Sequence, residues 1–201
     1  MSFRKRMFAR FYDALQGGYE ELLGDRRPRL LAEVRGRVLE LGPGTGINFE
    51  YYPAGRLDEW RGIEPNPHMR ERLEARARPL GFDPAFCELD GNRFEADAAS
   101  FDFVVSTIVL CSVPDPAATL AEVRRVLKPG GQFVFLEHVA APRGTLRRTV
   151  QKALTPCWRC FADGCRLDRE LGEDIERAGF QDVSLDRFDA RLPHIWGRAS
   201  V

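Results

Sequence analysis

The chain has almost no lysine: of its 30 basic residues only Lys5, Lys128 and Lys152 are lysines, and the rest are arginine. It has no excess of either charge, because 30 acidic residues balance the basic ones. That balance argues against the one-sided basic surface of a dedicated nucleic-acid binder. The arginines are spread evenly and mark no phosphate-reading cluster. No stretch approaches the roughly eighteen consecutive apolar residues of a membrane span, and no apolar run follows the basic start Met1–Arg10, so a secretory signal is not expected. Five cysteines, an odd number, then read as free thiols in a reducing cytoplasm. No repeat or low-complexity tract is present.

What is present suits a globular fold. At 201 residues, 44% hydrophobic and 30% charged, the chain fits one domain with at most an attachment. Short apolar runs at Arg37–Leu41, Trp60–Glu64, Ala85–Leu89, Phe101–Ile108 and Gln132–Val139 predict strands. Helical patterns at Asn48–Tyr52, His68–Arg78 and Pro116–Leu127 alternate with them. Such alternation predicts a mostly parallel sheet with helices on both faces. After a helix at Arg169–Ala178, Asp182–Phe188 and Pro193–Ala199 read as an antiparallel closing pair. Residues 3–23 predict a basic amphipathic helix that packs on the domain or lies on lipid. Residues 143–168 interrupt the alternation.

The segment Val38-Leu39-Glu40-Leu41-Gly42-Pro43-Gly44-Thr45-Gly46 carries the most information. A strand runs into a turn of three glycines, where the backbone bends tightly and approaches a bound nucleotide closely. A dinucleotide fingerprint would place its third glycine at position 47, which is Ile. Glu40, two places before the first glycine, would repel a pyrophosphate and attract a cation. A cationic nucleoside therefore fits this loop better than a phosphorylated one. Glu64, about twenty residues on at the second strand tip, is placed to accept both ribose hydroxyls. Asp90-Gly91-Asn92 after the third strand could read an adenine edge or be a plain turn.

Glu40-Leu41-Gly42-Pro43-Gly44-Thr45-Gly46, Glu64, Asp102 and Arg125-Val126-Leu127-Lys128-Pro129-Gly130-Gly131 together resemble S-adenosylmethionine-dependent methyltransferases of the seven-stranded Rossmann-like fold. Asn48-Phe49, Glu64-Pro65-Asn66-Pro67-His68, Val109-Leu110-Cys111-Ser112-Val113, Glu137-His138-Val139-Ala140, Asp163-Gly164-Cys165 and Pro193-His194-Ile195 narrow the resemblance. They are similar to the group containing alkyl-thiol S-methyltransferases, over roughly residues 36–201. Glu64 stands where those relatives usually carry Asp, and their N-terminal hydrophobic segment has no counterpart here. The resemblance implies a methyltransferase domain at 36–201, an N-terminal helical lid at 1–35 and a lid insertion at about 143–168. It implies S-adenosylmethionine held by Glu40, Gly42, Gly44, Gly46, Asn48, Glu64, Pro65, Asp90, Gly91, Asn92, Thr107 and Leu110.

The expected acceptor is a small lipophilic molecule, foremost an alkyl thiol. Transfer to oxygen, nitrogen or carbon of a quinone, phenol or lipid headgroup is the alternative, and a non-catalytic cofactor binder is a third reading. His138, at the carboxyl end of the fifth strand, and His194 are the candidate bases. Glu137 is expected to orient His138 or to face the other way. Cys111 reads as a buried, inert thiol. Cys157, Cys160 and Cys165 lack a fourth ligand, so no metal is expected; with Trp158 and Phe161 they read as an apolar lid. The expected partners are a small-molecule acceptor and no nucleic acid, with peripheral membrane contact through the N-terminal helix.

Overall fold

The computed structural model describes residues 18–201, so most of the amphipathic helix expected at 3–23 lies outside the described residues; 18–23 are helical. Seven strands form one sheet: β1 (Gly36–Leu41), β2 (Leu57–Ile63), β3 (Ala85–Phe86), β6 (Phe101–Thr107), β7 (Leu127–His138), β8 (Gln181–Ala190) and β9 (Leu192–Ser200). A separate hairpin pairs β4 (Leu89–Asp90) with β5 (Arg93–Phe94). The order across the large sheet is β3-β2-β1-β6-β7-β9-β8. Pairs β3–β2, β2–β1, β1–β6 and β6–β7 are parallel, while β9 runs antiparallel to both β7 and β8. The closing strands thus form the expected antiparallel pair, with the last strand inserted beside β7 and the earlier one at the edge.

Strand alternation explains why helices cover both faces. Leu39, Leu41, Val104, Phe133 and Phe135 pack into one core with Leu120, Val123 and Val126 of α3 (Pro116–Val126) and with Leu171 and Ile175 of α5 (Leu171–Arg177). The intervening Val38, Phe103, Val105, Val134 and Leu136 pack on the other face against Leu30 and Leu31 of α1 (Arg26–Leu31) and Leu73 and Ala77 of α2 (Pro67–Ala77). Side chains of period two therefore feed two cores from one strand. Each fully buried Leu, Val or Phe contributes about 1.5–3 kcal/mol.

Two helices start where the sequence marks a cap followed by proline. The Asn66 side chain accepts from His68 N at 3.1 Å ahead of Pro67, and Asp115 accepts from Ala118 N at 3.1 Å ahead of Pro116. The helix expected after the glycine turn is only a 3₁₀ turn, Ile47–Glu50, because Tyr51 N and Phe49 N close i→i−3 bonds there. The Lys128–Gly131 turn is present as a bulge inside β7: Phe101 faces Leu127, whereas Phe103 faces Gln132.

The 143–168 segment is ordered by one helix, α4 (Leu146–Phe161). Its packing is inverted. Arg148, Gln151 and Thr155 are buried, whereas Leu146, Val150, Leu154 and Phe161 are exposed. The buried polar side is satisfied in part by bonds a core helix would not need: Gln151 bridges Ala141 N and Val139 O, and Thr155 Oγ1 donates to Gln151 O.

Candidate active site

A cleft of about 240 Å³ opens beyond the carboxyl ends of β1, β2 and β6, where open α/β sheets bind ligands. Its floor is the glycine turn. Gly42, Gly44 and Gly46 all have positive φ, at 50°, 58° and 82°. A Cβ on Gly42 would fall 1.9 Å from Val109 Cγ2, so the turn and the loop after β6 interlock only without a side chain there. Of the expected cofactor residues, Gly42, Gly44, Glu64, Pro65, Gly91 and Asn92 line the cleft.

Glu64 is almost fully buried at the tip of β2. Its Oε1 accepts from Asn66 N at 2.8 Å and its Oε2 from Gly44 N at 3.1 Å. Burial raises its pKa to about 7, against the pull of those two amides. Among the described residues, the only charged ones lining the cleft are Glu64 and Asp163, both acidic. Among these residues a pyrophosphate would find no cationic side chain and one buried acid facing it. The wall is therefore suited to a neutral or cationic nucleoside.

Glu40 does not face this cleft, which corrects the expectation that it meets the ligand's charge. Its carboxylate accepts from Asn48 Nδ2 (2.7 Å), Tyr52 OH (2.7 Å) and Trp60 Nε1 (3.1 Å) beneath the turn. Burial raises its pKa, and those three donors lower it. Asn48 and Thr107 belong to the same buried network: Arg27 Nη1 donates to Asn48 Oδ1 at 2.5 Å and to Thr107 Oγ1 at 3.0 Å. Arg27 in turn pairs with Glu20 at 2.7 Å. Arg27 was not anticipated from sequence, because nothing in Arg26-Arg27-Pro28 distinguishes the buried guanidinium from its neighbours. The cation that Glu40 answers comes from the protein itself.

Three more expected contacts shift. Asp90 is exposed and does not line the cleft; its strand neighbour Leu89 does, because successive side chains of β4 point to opposite sides. Gly46 packs on Phe49 and Leu73 rather than lining the cleft. Leu110 is fully buried and does not line it.

The loop after β6 is held by Glu137. That carboxylate accepts from Ser106 Oγ at 2.7 Å, Val109 N at 3.0 Å and Leu110 N at 3.1 Å. Burial raises its pKa, opposed by those same bonds. Ile108, which lines the cleft, has φ of 57°, a strained conformation for a β-branched residue. Glu137 thus orients this loop, and His138 faces elsewhere, as neighbours on a strand must.

Neither candidate base lines the cleft. His138 is buried, with Nε2 3.1 Å from Cys165 Sγ. The Cys165 thiol is held well below its ordinary range by the Cys111 hydrogen bond first, and then by His138. Cys111 is correspondingly raised. His194 Nδ1 donates to the Leu192 carbonyl at 2.7 Å, which leaves Nε2 to accept from Tyr19 OH at 2.5 Å. Burial lowers its pKa to about 4, so it stays neutral at physiological pH and both its nitrogens are occupied. Cys157 and Cys160 are exposed on α4, whereas Cys165 is buried.

Fold and cleft together define a class: a Rossmann-like sheet carrying a nucleoside cleft with acidic and apolar walls, as in S-adenosylmethionine-dependent methyltransferases. Comparison with known proteins agrees, and the chain belongs to the methyltransferase-domain family, whose pattern matches residues 15–185. It is 37% identical over 200 residues to the thiol S-methyltransferase TMT1B of Rattus norvegicus, covering 95% of this chain and 81% of that protein. It is 41% identical over 171 residues to the Homo sapiens thiol S-methyltransferase TMT1A, covering 81% and 69%. The fold matches a Haemonchus contortus phosphoethanolamine N-methyltransferase 2 solved with S-adenosyl-L-methionine, at a TM-score of 0.68, 15% identity and coverage of 96% and 59%. The protein is an S-adenosylmethionine-dependent methyltransferase.

Proposed function

We propose that the protein methylates the sulfur of a small lipophilic alkyl thiol. When bound, S-adenosylmethionine supplies an electrophilic methyl group on a sulfonium, so most of the difficult electronic work belongs to the cofactor. The chain's own residues bind, align and dry the site. Glu64 accepts the ribose hydroxyls, the glycine turn lets the backbone approach closely, and Leu89, Gly91 and Asn92 flank the base. Ile108, Val109 and Val113 give the acceptor side an apolar wall that excludes water. Alignment of this kind supplies on the order of 7–11 kcal/mol.

One observation carries the choice of sulfur alongside the kinship. Among the described residues lining the cleft there is no His, Lys, Tyr or Cys. A phenol with pKa near 10 needs about three units of help from a base at neutral pH. A thiol near 8.5 is already a few per cent ionised, and complete ionisation is worth only about 1.4–2 kcal/mol. Apart from Asp163 and Glu64, whose carboxylate this reading gives to the ribose, the wall offers no base, which suits an acceptor that needs little help.

Methyl transfer from labelled cofactor to alkyl thiols, phenols, amines and lipid headgroups across pH tests this. Thiol product, with a rate that levels off above about pH 8.5, supports the reading. Product on phenols, amines or headgroups with none on thiols overturns it, and cofactor binding without turnover on any acceptor does the same.

The same reading treats residues 1–35 and 143–168 as a lid, with Ala162 and Asp163 at the cleft wall in its support. It also makes the enzyme a cytoplasmic protein in peripheral contact with lipid through its N-terminal segment, and α4 adds to that surface. No helix among the described residues is long and apolar enough to cross a membrane. The exposed apolar face of α4, with exposed Lys152 and Arg159 on the same helix, supports surface contact. Flotation with anionic vesicles tests it, and protein that fails to float rejects it.

A further inference from the structure

Three chain segments that are remote in sequence bring soft ligands to one buried point. Cys111 follows β6, His138 ends β7 and Cys165 follows α4. Their ligand atoms all lie within 4.8 Å of one another, with His138 Nε2 3.1 Å from Cys165 Sγ. All three residues are buried, at 1%, 3% and 9% exposure. His138 Nδ1 is likewise buried and has no hydrogen-bond partner among the described residues. A dithiol–imidazole set of this kind in an apolar interior calls for a chemical reason.

We propose that Cys111, His138 and Cys165 form a binding site for a soft divalent cation, zinc in the first instance. The size is right. Bonds of about 2.3 Å to sulfur and 2.0–2.1 Å to nitrogen put tetrahedral ligand atoms about 3.5–3.8 Å apart. The observed spacing brackets that size, with one pair at 3.1 Å and all three atoms within 4.8 Å. The charge is right as well: two thiolates neutralise a dication, whereas two bare thiolates in the interior would be costly. Thiolate and imidazole select zinc over magnesium, calcium or manganese, which prefer oxygen.

The frame around the ligands is already built. The Cys111 carbonyl accepts from Arg166 N at 3.0 Å and Arg169 Nε at 3.1 Å, and Cys165 N donates to the Ala162 carbonyl at 2.9 Å. Both cysteines adjoin the cleft wall, since Ser112, Ala162 and Asp163 line it. The Ser112 hydroxyl is 3.6 Å from Cys111 Sγ. A bound ion would tie the loop after β6 and the turn after α4 to the end of β7. Three protein ligands leave a fourth position open, as in cysteine–histidine zinc enzymes. The exposed Cys157 and Cys160, which the Cys-x2-Cys spacing would have paired with Cys165, take no part.

The test uses the full-length protein, kept reduced, stripped of metal and titrated with Co²⁺ and then Zn²⁺. The expected result is one Co²⁺ per chain, with a sulfur-to-cobalt charge-transfer band and tetrahedral ligand-field bands that Zn²⁺ abolishes. Cys111→Ser, Cys165→Ser and His138→Gln, each checked for folding by circular dichroism, should weaken binding by at least about a hundredfold. The Cys157→Ser/Cys160→Ser double variant should bind like wild type. Wild-type protein that takes up no Co²⁺, or shows no sulfur charge-transfer band, overturns the site, and so does loss of the band in the Cys157/Cys160 variant. None of these readouts uses turnover, so the site stands or falls apart from the acceptor assignment.

Discussion

Glu64 Oε2 lies 3.1 Å from the backbone nitrogen of Gly44, so the acid at the tip of β2 closes across the glycine turn that follows β1. That bond joins the two elements proposed to hold the cofactor's sugar and its backbone-facing side. Glu64→Ala should weaken S-adenosylmethionine binding by about 1.5–3 kcal/mol, the worth of hydrogen bonds to a charged acceptor. Calorimetric titration checks it; wild-type affinity in this variant would remove Glu64 from the ribose contact.

The raised pKa of Glu64, about 7, also predicts a pH dependence. In the proposed reading the ribose hydroxyls donate to the ionised carboxylate, so cofactor affinity should rise about tenfold from pH 6 to pH 8. Fold stability moves the opposite way. The unfolded carboxyl ionises near 4.5 and the folded one near 7, so between those values the native state binds more protons. Stability contributed by this group therefore falls as pH rises through that window, by on the order of 3 kcal/mol at most. Urea titrations of wild type and Glu64→Gln across the window should show the slope in the first and its loss in the second.

Gly42→Ala should destabilise the fold by about 2–4 kcal/mol, from left-handed backbone strain plus overlap with Val109. Adding Val109→Ala should restore the steric part while leaving the backbone part. A double-mutant cycle read by thermal melting separates the two. Additive losses would show that the turn and the loop do not interlock.

Glu137→Ala should cost on the order of 3 kcal/mol or more, because Ser106 Oγ and the amides of Val109 and Leu110 lose their buried acceptor. Glu137→Gln keeps one acceptor oxygen and should cost less. Turnover should fall in both while cofactor affinity changes little, since the loop carries Ile108 and Val109 at the cleft wall. Equal stability of the two variants would show that the carboxylate is not what holds the loop.

Element type and order were readable along the chain because they depend on local spacing. Short apolar runs identified the strands, helical patterns between them identified the helices, and Gly42, Gly44 and Gly46 marked the turn. Glu64 followed from its position at a strand tip after that turn. The partners of the buried acids were not readable. Glu40 looked like a ligand group until Asn48, Tyr52 and Trp60 were found on its oxygens. His138, and after it His194, looked available as bases until the first was found facing Cys165 and the second held between Tyr19 and Leu192. Residues 143–168 looked irregular because α4 turns its polar side inward, which defeats any reading from apolar periodicity.

The amino-acid order by itself determined the alternating α/β architecture, the glycine turn and the acid at the tip of β2, because each is set by neighbours a few residues away. Only the tertiary structure decided which charges meet and which thiols converge. Arg27 reaches Asn48 and Thr107, Glu137 reaches the loop after β6, and Cys111, His138 and Cys165 come together from three segments. Those pairings depend on the sheet order and on which side of each strand a residue faces, and sequence separation carries no record of either.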